Sequence, residues 1–423
     1  MITVIGLGFV GLTTALGFSE KGYRVYGYDI DEKKLNRFKA GEVPFYEPIL
    51  DKTLQKHSNN NFMMVKNLED AIKNSEMIFI CVGTPSKEDG SVDLSYISEA
   101  IKNVLEKICK SQYKVIVIKS TVPPGTTEGI IKPFIESFGF EIGKNIGLTS
   151  NPEFLREGYA WEDFMKPDRI VIGEIDNKSG QLIENVYKVF NAPIYRVSLN
   201  TAEFIKYLSN TLLATLISYA NEQSLIAKSI GSIDIKKAFH ILHLDKRWFG
   251  EPAAMTSYVY PGCGFGGYCL PKDTKALIKR SKETSYSPKL LESTININES
   301  IKDFVVCDVV GKVNKNEKIG ILGLAFKPNS DDVRDTPAKA IIQALINKGH
   351  KNIIAYDPLA MNNFQETYQL PIVSAASLTS LLSQVKYVVI LTSWDEFIEN
   401  TTIIKEKVVF DYRYLYDLKS SFC

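Results

Sequence analysis

Between residues 262 and 273 the chain reads Gly262-Cys263-Gly264-Phe265-Gly266-Gly267-Tyr268-Cys269-Leu270-Pro271-Lys272-Asp273. This is a glycine-rich loop presenting a thiol, with a lysine and an aspartate three and four positions further on. A cation beside a thiol raises its thiolate fraction, and the thiolate is the nucleophile. Cys269 is therefore a candidate for covalent catalysis. On residue type alone the opposite reading stands beside it, because a free cysteine commonly serves as a small buried hydrophobe.

A second constellation opens the chain. Gly6-x-Gly8-x-x-Gly11, with Phe9 and Val10 inside it, follows the β-branched run Ile2-Thr3-Val4-Ile5 and precedes a helical stretch to about Lys21. Asp29 ends the next apolar run, 18 positions beyond Gly11, close to the roughly 20 that places a carboxylate on an adenine ribose. The glycines give a tight turn, close approach of backbone to a pyrophosphate, and close helix–strand packing, while the helix N-terminus offers free N–H groups. Asp29 would repel an added 2′-phosphate, so NAD is expected rather than NADP. Lys34 is either a contact to the adenosine phosphate or a solvated helix lysine. Gly83-Thr84-Pro85 and Ser120-Thr121-Val122-Pro123-Pro124-Gly125-Thr126-Thr127 follow strand candidates at Met77 to Val82 and Val115 to Lys119. Both lie at the strand edge where open α/β sheets bind ligands.

The elements that must position these residues follow from periodicity. A further strand candidate at Ile146 to Ser150 and a helical pattern over Ile97 to Ile108 continue a strand–helix alternation, which implies a parallel, doubly wound sheet. From Thr201 to Ser229 there is no glycine or proline, and Phe204, Tyr207, Leu208, Leu212 and Leu216 recur at helical spacing. Alternation resumes with Lys318 to Ala325, a helix over Pro337 to Asn347, and strands at Asn352 to Ala355, Tyr387 to Thr392 and Lys407 to Asp411. The fold class expected is thus α/β: two Rossmann-like, doubly wound parallel-sheet domains joined by a long central helix. The second glycine pair, Gly320 and Gly323, lacks a third glycine in register, so the carboxy-terminal domain should hold something other than a second NAD.

Gly266 to Asp273 resembles the catalytic loop of the UDP-glucose/GDP-mannose dehydrogenase family, most of all in its bacterial UDP-glucose dehydrogenases. Phe45-Tyr46-Glu47-Pro48, Ser120 to Thr126, Asn151-Pro152-Glu153-Phe154-Leu155-Arg156-Glu157-Gly158, and Phe326-Lys327 with Asp332-Val333-Arg334 resemble it in the same order. The resemblance implies three domains: residues 1–198 for NAD, residues 199–312 for dimerisation and the catalytic loop, and residues 313–423 for a UDP-sugar. It implies that Cys269 traps an aldehyde as a thiohemiacetal, later a thioester. Lys206 and Asn210, one turn apart on the long helix, would bind the developing oxyanion. Asp273, Thr121 and Glu153 would form the acid–base set around a water. Glu153, Phe154, Leu155, Arg156, Glu157, Tyr258, Tyr260, Gly262, Gly266, Lys327 and Arg413 would surround the substrate, with Lys206 and Asn210. Lys272, Arg334 and Glu157 resemble NAD-contacting positions. Arg247 resembles an arginine that reaches the substrate of the partner subunit in a homodimer, although the stretch from Arg247 to Tyr258 is longer than the family pattern.

Composition narrows the alternatives. With 423 residues, two or three domains are expected. The 50 basic and 49 acidic residues nearly balance, which removes the electrostatic footprint of a nucleic-acid or anionic-membrane binder. The uncharged segment Ile2 to Phe18 has no basic region before it and reads as strand and helix start rather than as a leader. Six scattered cysteines suit free thiols in a reducing, cytoplasmic compartment and show no zinc pattern, so no metal is expected. The activity implied is oxidation of the primary alcohol of UDP-glucose to UDP-glucuronate. A UDP-N-acetylhexosamine is the rival substrate, and a non-catalytic sensor of NAD and nucleotide sugar the rival class.

Overall fold

The structure, a computed structural model, describes residues 1–416 except Tyr46, Pro48, Gly90, Glu157, Ala254, Thr256, Ser257, Tyr260 and Tyr268. The side chains of Ile217, Ser218, Asn221, Cys269, Lys272, Asp273, Ala276, Leu277 and Arg280 also lie outside the described set. The chain divides into two compact units, Met1–Thr215 and Leu216–Cys423, and the division falls within one helix, Leu199–Ile230.

The first unit is built on eight strands: β1 (Ile2–Ile5), β2 (Val25–Tyr28), β3 (Phe62–Met64), β4 (Met77–Ile80), β5 (Lys114–Ile118), β6 (Ile146–Ser150), β7 (Ile170–Glu174) and β8 (Ile194–Ser198). Their order is β3-β2-β1-β4-β5-β6-β7-β8. The central strands are buried on both faces, which is why they read as continuous apolar runs instead of alternating ones. Even so, their residues separate by parity. Val115 and Val117 pack with Leu12, Leu16 and Phe18 of the helix Phe9–Glu20 on one face, whereas Ile116 and Ile118 pack with Ile97, Ile101 and Val104 on the other. A ring cluster of Phe18, Phe79, Phe164, Tyr187 and Phe190 fills the first face.

The sheet is parallel as expected except at one pairing, where β7 runs antiparallel to β6. The chain leaving β6 passes through the loop 151–159 and the helix Ala160–Met165. Phe164 of that helix docks on Gly17, where an added Cβ would lie 2.2 Å from its ring. The connection thus stays at the edge where β6 ended, and β7 enters from that edge. No alternation marked β3, β7 or β8, because β3 is three residues long and β8 is half exposed.

The second unit carries a five-stranded parallel sheet: β9 (Ile319–Leu322), β10 (Ile353–Tyr356), β11 (Val373–Ser374), β12 (Tyr387–Ile390) and β13 (Val408–Asp411), in the order β11-β10-β9-β12-β13. This repeats the order of the first five strands of the other sheet. The helices Cys269–Glu283 and Lys289–Lys312 precede it. Glu222 accepts from the backbone N–H groups of Leu290 and Leu291 and so caps the start of the latter helix. No helix among the described residues is long and apolar enough to cross a membrane.

Candidate active site

In the first unit the three glycines of the opening turn are separated by what surrounds them. A Cβ on Gly11 would fall 1.8 Å from the Gly6 carbonyl oxygen, and one on Gly6 would fall 2.9 Å from the backbone of Cys81 and Val82. Gly8 has nothing within 4 Å of that position. Gly6 and Gly11 therefore serve the fold, and Gly8 keeps a space clear. Beyond it lies a cavity of about 390 Å³, lined by Gly6, Gly8, Asp29, Lys34 and Gly83 among others. Thr84 and Thr121 follow β4 and β5 at the same sheet edge, as parallel pairing with β1 requires.

Asp29 is buried and accepts the Leu7 N–H at 2.7 Å on Oδ2 and the Asp31 N–H at 2.9 Å on Oδ1. Lys34, expected as a contact to the adenosine phosphate or as a solvated helix lysine, places its ammonium 2.8 Å from Asp29 Oδ2. Two backbone donors thus fix the carboxylate, and Oδ1 keeps acceptor capacity for a ribose hydroxyl. The arrangement suits a dinucleotide with an unphosphorylated ribose. Phe9 stacks edge-on to Phe45 at 6.2 Å and shields the flank of the turn, with Val10 beside it in the helix Phe9–Glu20.

The second unit repeats this plan and then disables it. Gly323 has φ +94° where Gly6 has +87°. Leu324 N–H donates to Asp357 Oδ2 at 2.7 Å, as Leu7 does to Asp29. Asp357, however, also accepts from the N–H groups of Ala325, Leu359 and Ala360 and from the Trp394 indole. With five protein donors on one carboxylate, no lone pair remains for a ribose. Pro328 stands where Gly11 stands in the first copy. The sequence showed the second Rossmann-like domain and its missing glycine; the saturation of Asp357 is what the structure adds.

Beyond β5 and β6 the first unit gathers a second set of groups. Glu153 and Lys206, expected in acid–base and oxyanion roles, form an ion pair at 2.9 Å with side chains only 11% and 10% exposed. Glu153 Oε2 also accepts the Leu155 N–H at 2.6 Å. Glu153 lines a cavity of about 490 Å³ together with Lys119, Asn151, Phe154, Leu155, Arg156, Arg169 and Tyr187 among others. The Arg169 guanidinium sits 4.0 Å from the centre of the Phe154 ring. Arg156 turns to Asp163, 2.7 Å away, and over Tyr159. Asn210, on the helix of Lys206, is exposed.

Four residues of this region carry roles that the sequence did not assign. Glu47 accepts the N–H groups of Gly158 and Ala160 at 2.8 and 2.7 Å, anchoring the segment that carries Glu153. Glu203 accepts those of Gly125 and Thr127 at 2.6 and 2.8 Å, tying the loop of Thr121 to the long helix; burial pushes its carboxyl up. Arg169 and Lys119 line the cavity. Glu47 stood in the Phe45–Pro48 motif, and Lys119 left a signal as the residue that continues the parity of Val115 and Val117 onto the buried face.

In the second unit the loop before Cys269 is clamped from several sides. Phe265 and Asn298 exchange hydrogen bonds at 2.7 and 3.2 Å, and Gly267 N–H donates to the Arg334 carbonyl at 2.9 Å. Gly266 lies so close to Asp335 that a Cβ would come within 2.3 Å of its carbonyl oxygen. At Gly262 the corresponding neighbour is Arg413 Nη1, at 2.5 Å. Gly262, Gly266, Arg334 and Arg413 are thus brought together. The exposed Lys327 ammonium lies 5.5 Å from the Phe326 ring, which covers Gly267. The Arg334 side chain pairs with Asp332 at 2.7 Å. Arg247 pairs with Asp245 and lies 5.8 Å from the Tyr258 ring. The expectations for Glu157 and Tyr260, and for the side chains of Cys269, Lys272 and Asp273, fall outside the described residues.

Three family models match in chain order: the UDP-glucose/GDP-mannose dehydrogenase NAD binding domain over residues 1–191, the central domain over 200–300 and the UDP binding domain over 320–418. The chain belongs to the UDP-glucose/GDP-mannose dehydrogenase family. Its cofactor is NAD, and its substrate class is nucleotide sugars. The dehydrogenase is 37% identical over 430 residues to UDP-glucose 6-dehydrogenase TuaD of Bacillus subtilis, covering 99% of this chain and 90% of that one. It superposes on a ternary-complex crystal structure of GDP-mannose dehydrogenase from Pseudomonas aeruginosa with a TM-score of 0.87 and 30% identity, covering 100% and 98% of the two chains. A UDP-N-acetylmannosamine dehydrogenase from Pyrococcus horikoshii gives a TM-score of 0.55 at 28% identity, covering 100% and 97%. In this dehydrogenase the open Gly8 position and the free acceptor on Asp29 are where the cofactor's pyrophosphate and adenine ribose would lie.

Proposed function

We propose that this dehydrogenase oxidises the primary alcohol of UDP-glucose to the carboxylate of UDP-glucuronate in two oxidations and one hydrolysis. The observation that carries the reading is the nearly buried Glu153–Lys206 pair, whose Glu153 lines a cavity large enough for a sugar. The likeness to TuaD over almost the whole chain supports UDP-glucose in particular. Two NAD molecules, bound in succession at the opening turn, would each accept one hydride.

Glu153, with Thr121 and Asp273 around a water, takes the proton of the alcohol as the carbon gives up hydride, leaving an aldehyde. Lys206 and Asn210 hold the oxygen on which negative charge grows; donors already in place cost no reorganisation during reaction. The Cys269 thiolate adds to the aldehyde carbon, forming a C–S bond and a tetrahedral alkoxide that Lys206 stabilises. Loss of a second hydride from that carbon gives a thioester. Water then attacks, the C–S bond breaks, and the carboxylate leaves with the thiolate restored. The thiolate thus keeps the aldehyde from escaping and makes it able to donate hydride. Arg413 and Lys327, near the loop 262–267, neutralise the diphosphate.

A purified-protein panel of UDP-sugars, with NADH counted per sugar consumed, tests this. Two NADH per UDP-glucose is the expected result. Turnover confined to a UDP-N-acetylhexosamine, a reading favoured by the Pyrococcus horikoshii likeness, would replace the substrate. Steady turnover by Cys269→Ala would remove the covalent route. The exposed apolar pair Phe204 and Leu208, one turn apart on the long helix and each more than half exposed, supports a homodimer, which a monomer in sedimentation would refute.

A further inference from the structure

Lys119 stands where a core residue belongs. It follows β5 on the parity of Val115 and Val117, under the rings of Phe164 and Tyr187, each 6.0 Å from its ammonium, and is only 4% exposed. The ammonium donates to Asn151 Oδ1 at 3.0 Å and reaches the Asn151 carbonyl and the Tyr187 hydroxyl at 3.5 Å. The Tyr187 hydroxyl donates to the same Oδ1 at 2.5 Å, and Asn151 Nδ2 donates to the Val171 carbonyl at 2.8 Å. Among the described residues no carboxylate pairs with it. The groups that bear on its charge are Glu153, Lys206 and Cys81, and burial pushes the Cys81 thiol up to about 12, so Cys81 lends no charge near neutrality. Burial above all, with a smaller push from Lys206, pulls Lys119 down to about 8.

A buried, unpaired ammonium is a burden on stability. Its placement tells what it does. Lys119 directly precedes Ser120-Thr121, and its partner Asn151 directly precedes Pro152-Glu153. The amine therefore ties together the two strand ends that carry the acid–base groups, and it lines the same cavity as Glu153. In the resting protein the Glu153 carboxylate is balanced by Lys206. Once Lys206 shares its charge with the substrate oxygen, Lys119 is, among the described residues, the buried cation left in the lining of this cavity.

We propose that Lys119 is a positioning residue for the first oxidation: through Asn151 it fixes the strand end bearing Glu153, and its charge balances that carboxylate when Lys206 turns to the substrate. This rests on the roles given above to Glu153 and Lys206. It makes the strength of the base depend on a group that never touches the sugar.

The experiment compares the wild-type protein with Lys119→Met, which removes charge and hydrogen bonds, and Lys119→Gln, which keeps the bonding and loses the charge. UDP-glucose and UDP-N-acetylhexosamine turnover, the pH profile of kcat/KM and Tm are read for each. Both variants are expected to lose about tenfold to a hundredfold in kcat, with the KM for the sugar changed less than about threefold. The acid limb of the profile should move to higher pH, and Tm should stay at or above the wild-type value. A kcat within about threefold of wild type in both variants, or a fall in Tm that accounts for the lost activity, overturns the inference. Wild-type protein that turns over neither sugar overturns the proposed function instead, and the inference with it.

Discussion

The stability of the first unit should depend on pH through Lys119. An ordinary lysine titrates at 10.5, and burial, only partly offset by Glu153, lowers Lys119 to about 8. Below pH 8 both folded and unfolded chains hold the proton, so the folded state bears the full cost of the buried charge. Between 8 and 10.5 the folded state has released its proton and the unfolded chain has not, so stability rises with pH. Above 10.5 both are neutral and the penalty has gone. At about 1.4 kcal/mol per tenfold in acidity, the interval amounts to about 3 kcal/mol. Other groups titrate in the same range, which makes the difference between wild type and Lys119→Met the quantity to measure. Urea denaturation at steps from pH 7 to pH 11 should show the wild type gaining about 3 kcal/mol on the variant across that window. Parallel curves would refute the reasoning, because they would mean that Lys119 is either solvated or paired in the folded protein.

The glycines of the opening turn allow a paired test. Gly8→Ala should fold with unchanged Tm and lose NAD binding, whereas Gly11→Ala should lose binding and about 1–3 kcal/mol of stability through overpacking, as calorimetry and thermal melts would show. Asp29→Asn, which weakens the charged acceptor, should raise the Kd for NAD about tenfold, equivalent to about 1.4 kcal/mol, and narrow the preference over NADP; unchanged titration calorimetry would contradict the site. Glu47→Ala leaves the N–H groups of Gly158 and Ala160 without their acceptor. It should cost about 2–4 kcal/mol and lower kcat/KM without altering NAD affinity, measured by denaturation and by separate NAD titration.

The opening βαβ unit could be read from the sequence because its rules are local. A short strand, three glycines at fixed spacing and an acid after the next strand leave little freedom in what they form. The long helix was legible for the same reason, and so was the second Rossmann-like domain, whose helix over Pro337–Asn347 matches the sequence pattern residue for residue. The thiol loop was visible as a motif. Its clamp, made by Asn298, Arg334, Asp335 and Arg413, was not. Those contacts join residues far apart in the chain, and periodicity tells which face a side chain occupies without telling what it meets there.

Tertiary structure decided the rest by the same physics. Asp29 and Asp357 end equivalent strands with equivalent first contacts, yet one keeps acceptor capacity and the other is saturated by Ala325, Leu359, Ala360 and Trp394. Glu47 and Glu203 find their N–H partners more than 70 positions away. The reversal at β7 follows from where Phe164 docks, and the burial of Lys119 from the rings that close over it. A carboxylate or an ammonium has the same formula wherever it stands, so only the neighbours that folding brings to it determine whether it binds, caps or stays charged.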